Sequence, residues 1–159
     1  MRIFGYLLLF GSALFFVLGF RGYLVGRLRL TEELYRFISY LRRNIECYMV
    51  PASGNSAPFE SAPLEEIGFL PLVRGGQSPK DAYRTVRGRI QVSREVRVVL
   101  DELFLSPGGY HTHEVKSYEL AERRIYSEIE RERTANIEKT KVVAGIALAL
   151  ALGLALVIA

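Results

Sequence analysis

The residue types that most often do chemistry are few in this sequence, and they stand apart from one another. His111 and His113 lie two residues apart beside Glu114. A zinc site needs three or four convergent ligands, and positions i and i+2 of a helix point away from each other, so a metal site is disfavoured. The glycine pair at 75–76 resembles part of a phosphate-binding loop, but the lysine and hydroxyl residue of a Walker motif are missing.

Cys47 is the single cysteine of the chain. It has no histidine near it in the sequence, and we expect a buried or half-buried side chain that acts as a small apolar group rather than as a nucleophile. One cysteine also excludes a disulfide-stapled secreted module. The sequence therefore predicts a protein that is not an enzyme, with no catalytic residue, no cofactor and no metal ion.

The strongest charge asymmetry lies between residues 74 and 97. Seven basic residues outnumber two acidic ones there, which gives a local charge of +5. Such a surface can meet anionic lipid headgroups or an acidic partner, while nucleic acid is disfavoured because no recognised motif accompanies the charges. The alternative to a binding surface is a solvent-exposed helical face that has no partner. The candidate partner-binding residues are Arg74, Lys80, Arg84, Arg87, Arg94 and Arg97.

Two uncharged apolar runs, residues 3–20 and 142–159, enclose the charged part of the chain. At ~1.5 Å per residue, each run covers about 27 Å as a helix, close to the ~30 Å of a hydrocarbon core. The first run is followed by Arg21-Gly22 rather than by a small-residue cleavage site, which favours an uncleaved anchor over a signal peptide. We predict a membrane protein with one transmembrane helix at each end.

With one exception, the basic residues that flank the two apolar runs lie on the side of the charged middle of the chain. Arg21 and Arg27 follow the first run, Lys139 and Lys141 precede the second, and Arg2 alone lies on the other side of a run. The positive-inside rule therefore places residues 21–141 in the cytoplasm and both termini outside the cell membrane.

Small residues recur every four positions in the second run, at Gly145, Ala149 and Gly153. Small side chains on one helical stripe let another helix approach closely, so these three residues are candidates for transmembrane helix packing. The alternative is an alanine-rich tail in which several such stripes arise by composition alone.

The middle of the chain has helical spacing. Apolar residues repeat every three or four positions from Leu30 to Tyr48, before Pro51. A short helix over 62–70 is expected to end at Pro71 and the glycine pair. Residues 51–63 are rich in serine, proline and glycine and favour a loop.

Two later helix starts carry capping signals. Ser78 before Pro79 predicts a helix from residue 79, and Ser93 caps the next. Thr112 is the expected cap of the last helix, whose residues 114–141 carry 14 charges in 28 residues and include a Glu119–Arg123 pair. This helix is expected to run on into the second apolar run.

No strand pattern of convincing length is present. The predicted fold is all-α: a cytoplasmic bundle of about five to six helices flanked by an N-terminal and a C-terminal transmembrane helix. The predicted domains are an anchor over 1–26, the bundle over 27–141 and the last span over 142–159.

The order of these parts is itself informative. The first helix ends in Ile45, Tyr48 and then Pro51, a glycine-containing break stands at 105–109, and a lysine-rich entry at 139–141 leads into a glycine-bearing span. This combination resembles the stage III sporulation protein AB family, over the whole chain in architecture. The middle departs from the family, since residues 52–62 are loop-like here whereas family members continue from the proline into a helix.

The resemblance implies a helical domain similar to the inner-membrane platform protein of type II secretion and type IV pilus machines. In endospore formers the family belongs to the mother-cell side of a secretion-like complex. The implied partners are the secretion-type ATPase of the same operon and other membrane components of the sporulation channel, and no catalytic residue is carried over.

The alternative function is a self-associating, membrane-anchored coiled-coil scaffold of cell division or the cell envelope, formed through residues 114–141. The apolar stripe of that helix fades after Ile129, which argues against a sustained heptad seam. The sequence also leaves open that the platform protein forms a homo-oligomer.

Overall fold

The computed structural model describes residues 2–48, 59–105 and 111–158. Within these ranges there is no strand, and the six α-helices are α1 Arg2–Tyr48, α2 Ala62–Glu66, α3 Phe69–Arg74, α4 Pro79–Val86, α5 Arg94–Leu105 and α6 His111–Ile158. A 3₁₀ turn, Arg87–Arg89, follows α4. The predicted all-α fold, with a long apolar helix at each end, is confirmed. The loop expected over 51–63 lies mostly outside the described residues.

The chain forms two compact units. The terminal unit consists of Met1–Gly26 and Arg131–Ala159, and the bundle unit is Arg27–Glu130. Helices α1 and α6 each contribute residues to both units. Each is continuous from its apolar end to its charged part.

The bundle unit is built on one face of α1. Residues spaced three and four apart along that face are buried, as the apolar repeat predicts. The short helices α2 to α5 and the first part of α6 supply the rest of the core. The fully buried apolar residues of α1 are Leu34, Phe37, Ile38, Leu41 and Ile45.

Phe37 is the centre of an aromatic cluster in this core. Its ring meets Phe59 at 5.2 Å and Phe69 at 5.1 Å between centroids, both nearly edge to face. Edge-to-face rings add to the apolar burial because the positive edge of one ring meets the negative face of the other. Phe37 thereby attaches both α3 and the segment before α2 to α1.

The region 62–74 differs from its prediction. Instead of one helix over 62–70, α2 ends at Glu66 and α3 begins at Phe69. Gly68 stands between them in the left-handed conformation, with φ of 82°, which a glycine adopts without a Cβ clash. Pro71 does not end a helix either. It is the third residue of α3, where the missing N–H would have no partner within the helix.

Serine side chains cap the amino ends of α4 and α5. Ser78 Oγ accepts a hydrogen bond from Asp81 N at 3.2 Å, and Ser93 Oγ accepts one from Val96 N at 3.3 Å. The predicted starts of α4 and α5 are therefore confirmed. Helix α6 begins at His111, one residue before the expected cap Thr112, and it continues into the last apolar run as predicted.

In the terminal unit the two helices pack antiparallel. Asn136 Nδ2 donates to the carbonyl oxygen of Leu24 at 3.5 Å, and a groove of about 370 Å³ lies between residues 9–16 of α1 and 143–154 of α6. Two of the described helices, α1 and α6, are long and apolar enough to cross a membrane, and only 6% of the apolar window of each is buried.

Two stripes of small residues run along α6, one with Gly145, Ala149 and Gly153 and the other with Ala147, Ala151 and Ala155, and they differ in burial. Gly145, Ala149 and Gly153 are exposed, and a Cβ built on either glycine meets no described atom within 4 Å apart from the neighbouring backbone of α6 itself. The side of α6 that faces α1 carries Ala147 and Ala151 instead, and Ala151 is 2% exposed. The predicted stripe therefore does not pack on the first apolar run, and its pairing with a further helix stays a prediction.

Gly76 has a φ of 93°, and a Cβ built on it meets open space. A substitution there therefore changes stability through backbone strain and not through a steric clash. We expect Gly76→Ala to lower the free energy of unfolding by about 1–2 kcal/mol, because alanine is strained in the left-handed region. Gly88→Ala is the matched control, since its Cβ also meets open space and its φ is unstrained. Chemical denaturation of the detergent-solubilised chain measures both; equal losses would contradict the assignment of strain to Gly76.

Candidate functional site

The predicted basic surface lies on the bundle unit, spread over three helices and a turn. Arg74 ends α3, Lys80 and Arg84 lie on α4, Arg87 begins the 3₁₀ turn, and the last two candidates, Arg94 and Arg97, lie in the first turn of α5. Their side chains fall into two classes, those that bind other groups of the unit and those that do not.

Arg87 binds within the unit. Its Nε donates to Asp101 Oδ1 at 2.8 Å and its Nη2 donates to Asp101 Oδ2 at 2.7 Å, which is the bidentate geometry that suits a guanidinium and a carboxylate. The buried Tyr83 donates its hydroxyl to the same Oδ1 at 2.7 Å. Asp101 thus joins α5 to both α4 and the 3₁₀ turn, and we call Tyr83, Arg87 and Asp101 the carboxylate clamp.

The clamp alters the acidity of its members. The hydrogen bonds from Arg87 lower the pKa of Asp101 below its ordinary value of 3.8, and the bond from Tyr83 lowers it further, against the opposing effect of burial. Burial raises the pKa of the Tyr83 hydroxyl above its usual range, and its bond to Asp101 adds to that shift. The clamp therefore consists of a carboxylate, a guanidinium and a neutral phenol at neutral pH.

Three more of the candidate arginines have partners inside the unit. Arg74 pairs with Glu65 at 2.8 Å and donates to the carbonyl oxygen of Phe59 at 3.0 Å. Arg97 Nη2 donates to the carbonyl oxygen of Ile90 at 2.7 Å. Arg84 pairs with Asp81 one turn back on its own helix at 3.2 Å, but both side chains are exposed and such a pair contributes little.

The remaining cations are unpaired. Lys80 and Arg94 make no ion pair or side-chain hydrogen bond in the part of the chain that the structure describes, and neither does Arg89, which the sequence did not single out. Arg89 lies at the end of the 3₁₀ turn and is exposed. With Arg84, these are the side chains that an acidic partner can reach without breaking contacts of the core.

These cations do not form one patch. Tyr83 packs on Phe104 with ring centroids 5.1 Å apart, and Arg87 binds Asp101, so α4 and α5 run antiparallel. Lys80, one turn before Tyr83, therefore lies toward the end of α5 that is opposite to Arg94. The structure separates a Lys80 group, with Arg84 on α4, from an Arg94 group at the start of α5, while the guanidinium of Arg89 lies beside Gly68.

Charged residues of α6 also form ion pairs inside the bundle unit. Glu122, 9% exposed, lies 2.6 Å from Arg42 Nε of α1, an ion pair in which the N–H is out of line with the oxygen. Arg124 binds Glu102 of α5. The predicted pair between Glu119 and Arg123 is confirmed, at 2.6 Å.

The two histidines and the cysteine were the other candidates for reactive or metal-binding side chains. The side chains of His111 and His113 lie outside those described, and among the described residues no group of three His, Cys, Asp or Glu could hold a metal ion. The expectation that Cys47 is buried is wrong, because it is exposed. It lies two residues beyond the buried Ile45, and positions i and i+2 of a helix point to different sides.

The clamp predicts a pH-dependent stability. At pH 7 we expect Asp101→Asn to lower the free energy of unfolding by more than the loss of an exposed ion pair does, because the buried Tyr83 and Arg87 both lose their carboxylate partner. A lowered folded-state pKa means that the carboxylate stabilises the fold fully above 3.8 and loses this effect as the pH falls below it.

The difference between the wild type and Asp101→Asn should accordingly shrink below pH 4, as measured by chemical denaturation across pH. Glu119→Gln is the control, since it removes an exposed pair expected to contribute only about 0.3–0.5 kcal/mol. An Asp101→Asn effect as small as this control, or one that does not change with pH, would contradict the role of the clamp.

No protein-family model, no curated protein and no solved structure matches this chain. The structure shows the all-α fold class, and the resemblance of the sequence to the stage III sporulation protein AB family stays a prediction.

Proposed function

We propose that this chain is a non-enzymatic membrane platform of a sporulation-specific, secretion-like complex in the mother-cell membrane. In this role it belongs with the stage III sporulation protein AB family and couples a cytoplasmic secretion ATPase, encoded in the same operon, to the channel assembly. The bundle unit supplies the surface for the ATPase, and the terminal unit supplies two membrane spans.

One observation carries the proposal: α1 and α6 each contain both an exposed apolar segment and part of the bundle core. In α1 the exposed residues include Leu14 and Phe15, and the buried ones include Phe37 and Ile38. A force on the bundle therefore acts on the same two helices that carry the apolar segments. That is the requirement for a protein that transmits movement between an ATPase and a membrane assembly.

The proposed orientation follows the flanking charges. Arg21, Lys139 and Lys141 border the apolar segments on the side of the bundle unit, and positive residues are retained on the cytoplasmic side during insertion. The bundle unit then faces the cytoplasm, where an ATPase can reach it, and both termini lie outside.

The unpaired cations Lys80, Arg89 and Arg94, together with the exposed Arg84, supply the proposed docking surface. These side chains are accessible, whereas Arg87 is held by the carboxylate clamp. Because surface charges affect association more than stability, an acidic surface on the ATPase is the complement that this arrangement favours.

The packing of α6 favours the platform over the alternative scaffold. A coiled coil through residues 114–141 would need the apolar stripe of α6 for self-association. That stripe is already buried in the bundle unit, at Tyr118, Ala121, Ile125 and Ile129, none more than 4% exposed. A scaffold formed through this helix would first have to open the bundle.

Membrane orientation can be tested on the natural chain, because Cys47 is the single cysteine and is exposed. We expect a membrane-impermeant maleimide to label Cys47 only after the cells are opened. In a Cys47→Ser background, Ala159→Cys should be labelled on intact cells, since the carboxyl end is placed outside. Cys47→Ser alone is the background control. Labelling of Cys47 on intact cells would place the bundle unit outside and sink the platform proposal.

Docking can be tested by reversing the two unpaired charges that begin helices. We expect Lys80→Glu with Arg94→Glu to weaken retention of the ATPase by the full-length chain about tenfold or more, and the wild-type interaction to weaken with salt. Both positions lie in the first turn of a helix, where an acidic side chain is favourable, so the bundle should stay as stable as the wild type.

Lys116→Glu is the matched control for this double variant, because Lys116 is an exposed lysine of α6 with no partner in the described part of the chain. It should retain the ATPase like the wild type, and the two single variants assign the contact to one group or both. Undiminished retention by the double variant, with its thermal unfolding unchanged, would remove the basic groups from the docking surface.

A further inference from the structure

The stretch of α1 that follows its apolar run contains two glycines, Gly22 and Gly26, one helical turn apart. They lie beyond the uncharged residues 3–20 and before Leu30, where the buried core of the bundle unit begins. Compared with alanine, a glycine in the interior of a helix weakens that helix about fivefold, because its backbone loses more freedom on folding. This stretch is therefore a weaker helix than residues 27–48, which contain no glycine.

Packing does not require either glycine. Both are exposed, and a Cβ built on either one meets no described atom within 4 Å apart from the neighbouring backbone of α1 itself. Alanine would fit at both positions and would strengthen the helix. The apolar composition of a membrane span does not explain them either, since the charged Arg21 precedes both. The cost of these glycines is thus not offset by a close approach of another group.

Two backbone carbonyls of the same stretch accept hydrogen bonds from side chains. Asn136 Nδ2 donates to the carbonyl oxygen of Leu24 at 3.5 Å, and the buried Thr31 donates its hydroxyl to the carbonyl oxygen of Arg27 at 3.1 Å. In an α-helix each carbonyl also accepts the amide four residues further on, so a second donor competes for it and favours a bend. The side chains thus loosen the helical hydrogen bonds around the second glycine.

The boundary between the two compact units falls at the same place in α1. This helix passes from the terminal unit to the bundle unit at residues 26–27, and α6 passes between the units at residues 130–131. From residue 111 to residue 144, α6 contains neither glycine nor proline. Of the two helices that belong to both units, α1 alone has glycines next to the boundary.

We propose that residues 22–27, which we call the glycine segment, are a hinge at which α1 bends while α6 stays straight. Under the proposed function, α6 transmits a movement of the bundle unit along its length, and the glycine segment absorbs the change that α1 cannot follow as a rigid rod. The inference rests on the proposed function only for the source of this movement. Bending itself is a property of α1 that is measured without the ATPase.

The test compares α1 with α6 in the full-length chain, reconstituted in lipid nanodiscs in a Cys47→Ser background. Spin labels are attached 28 residues apart on exposed positions of each helix, at Phe15→Cys with Arg43→Cys in α1 and at Leu120→Cys with Leu148→Cys in α6. On a straight helix such labels are ~42 Å apart. Double electron–electron resonance measures both distance distributions. We expect the α1 distribution to be at least twice as broad as that of α6, with added density at shorter distances.

Alanine at both glycines should remove the hinge. Gly22→Ala with Gly26→Ala changes no charge, and it strengthens the helix at the glycine segment by about twentyfold or more. We expect the α1 distribution of this variant to narrow to the width found for α6. Gly19→Ala is the matched control, because its Cβ also meets open space and it lies between the same two labels, but within the apolar run. It should leave the width unchanged.

Equal widths for α1 and α6 in the wild-type chain would overturn the hinge, and so would an α1 distribution that alanine at both glycines does not narrow. Retention of the ATPase separates this failure from failure of the proposed function, since the glycine variant keeps Lys80 and Arg94. A chain that retains the ATPase but has equal widths loses only the hinge. A chain with a broad α1 distribution that does not retain the ATPase keeps the hinge and loses the platform.

Discussion

The buried face of α1 is the surface on which the bundle unit depends. Helices α2 and α3 have five and six residues, and helices of that length are not stable in water by themselves. They persist because residues such as Leu64, Phe69 and Leu70 are fully buried in the core that α1 organises, where each large apolar side chain contributes about 1.5–3 kcal/mol. Phe37, between Phe59 and Phe69, lies at the centre of that core.

Charged side chains then determine how the remaining helices are held and what is left for a partner. The bidentate bond between Arg87 and Asp101 joins the 3₁₀ turn to α5, and Arg42 with Glu122 joins α1 to α6 inside the bundle unit. A guanidinium held in this way is not available for docking. The surface open to an acidic partner is therefore smaller than the local charge of +5 suggests, and it is divided into two groups.

The terminal unit has the opposite character, since its large apolar side chains are mostly exposed. Leu14, Phe15 and Leu156, for example, are more than 60% exposed, which is costly in water and favourable in lipid. The unpaired cations at the end of these segments suit the headgroup region of a membrane. The proposed platform function depends on this change from apolar to basic surface along the same two helices.

Local features of the chain were readable from the sequence because they depend on neighbouring residues. Ser78 and Ser93 each accept a hydrogen bond from the amide three positions further along the chain, and the apolar repeat from Leu30 to Tyr48 reflects the 3.6-residue period of one helix. The helix starts, the all-α class and the two apolar ends followed from such signals. The break at Gly68 was missed, since a lone glycine does not reveal whether its φ is positive.

Tertiary structure decided what depends on distant residues. The sequence indicated six candidate cations, but only packing brings Asp101 to Arg87, fourteen residues away, and turns Cys47 to the outside. In α6 two stripes of small residues were equally suitable for close packing, and the antiparallel pairing with α1 buries the one that contains Ala151. Composition and spacing determine which faces can pack, and the three-dimensional arrangement of the helices determines which of them do, because burial is a property of pairs of surfaces rather than of one segment.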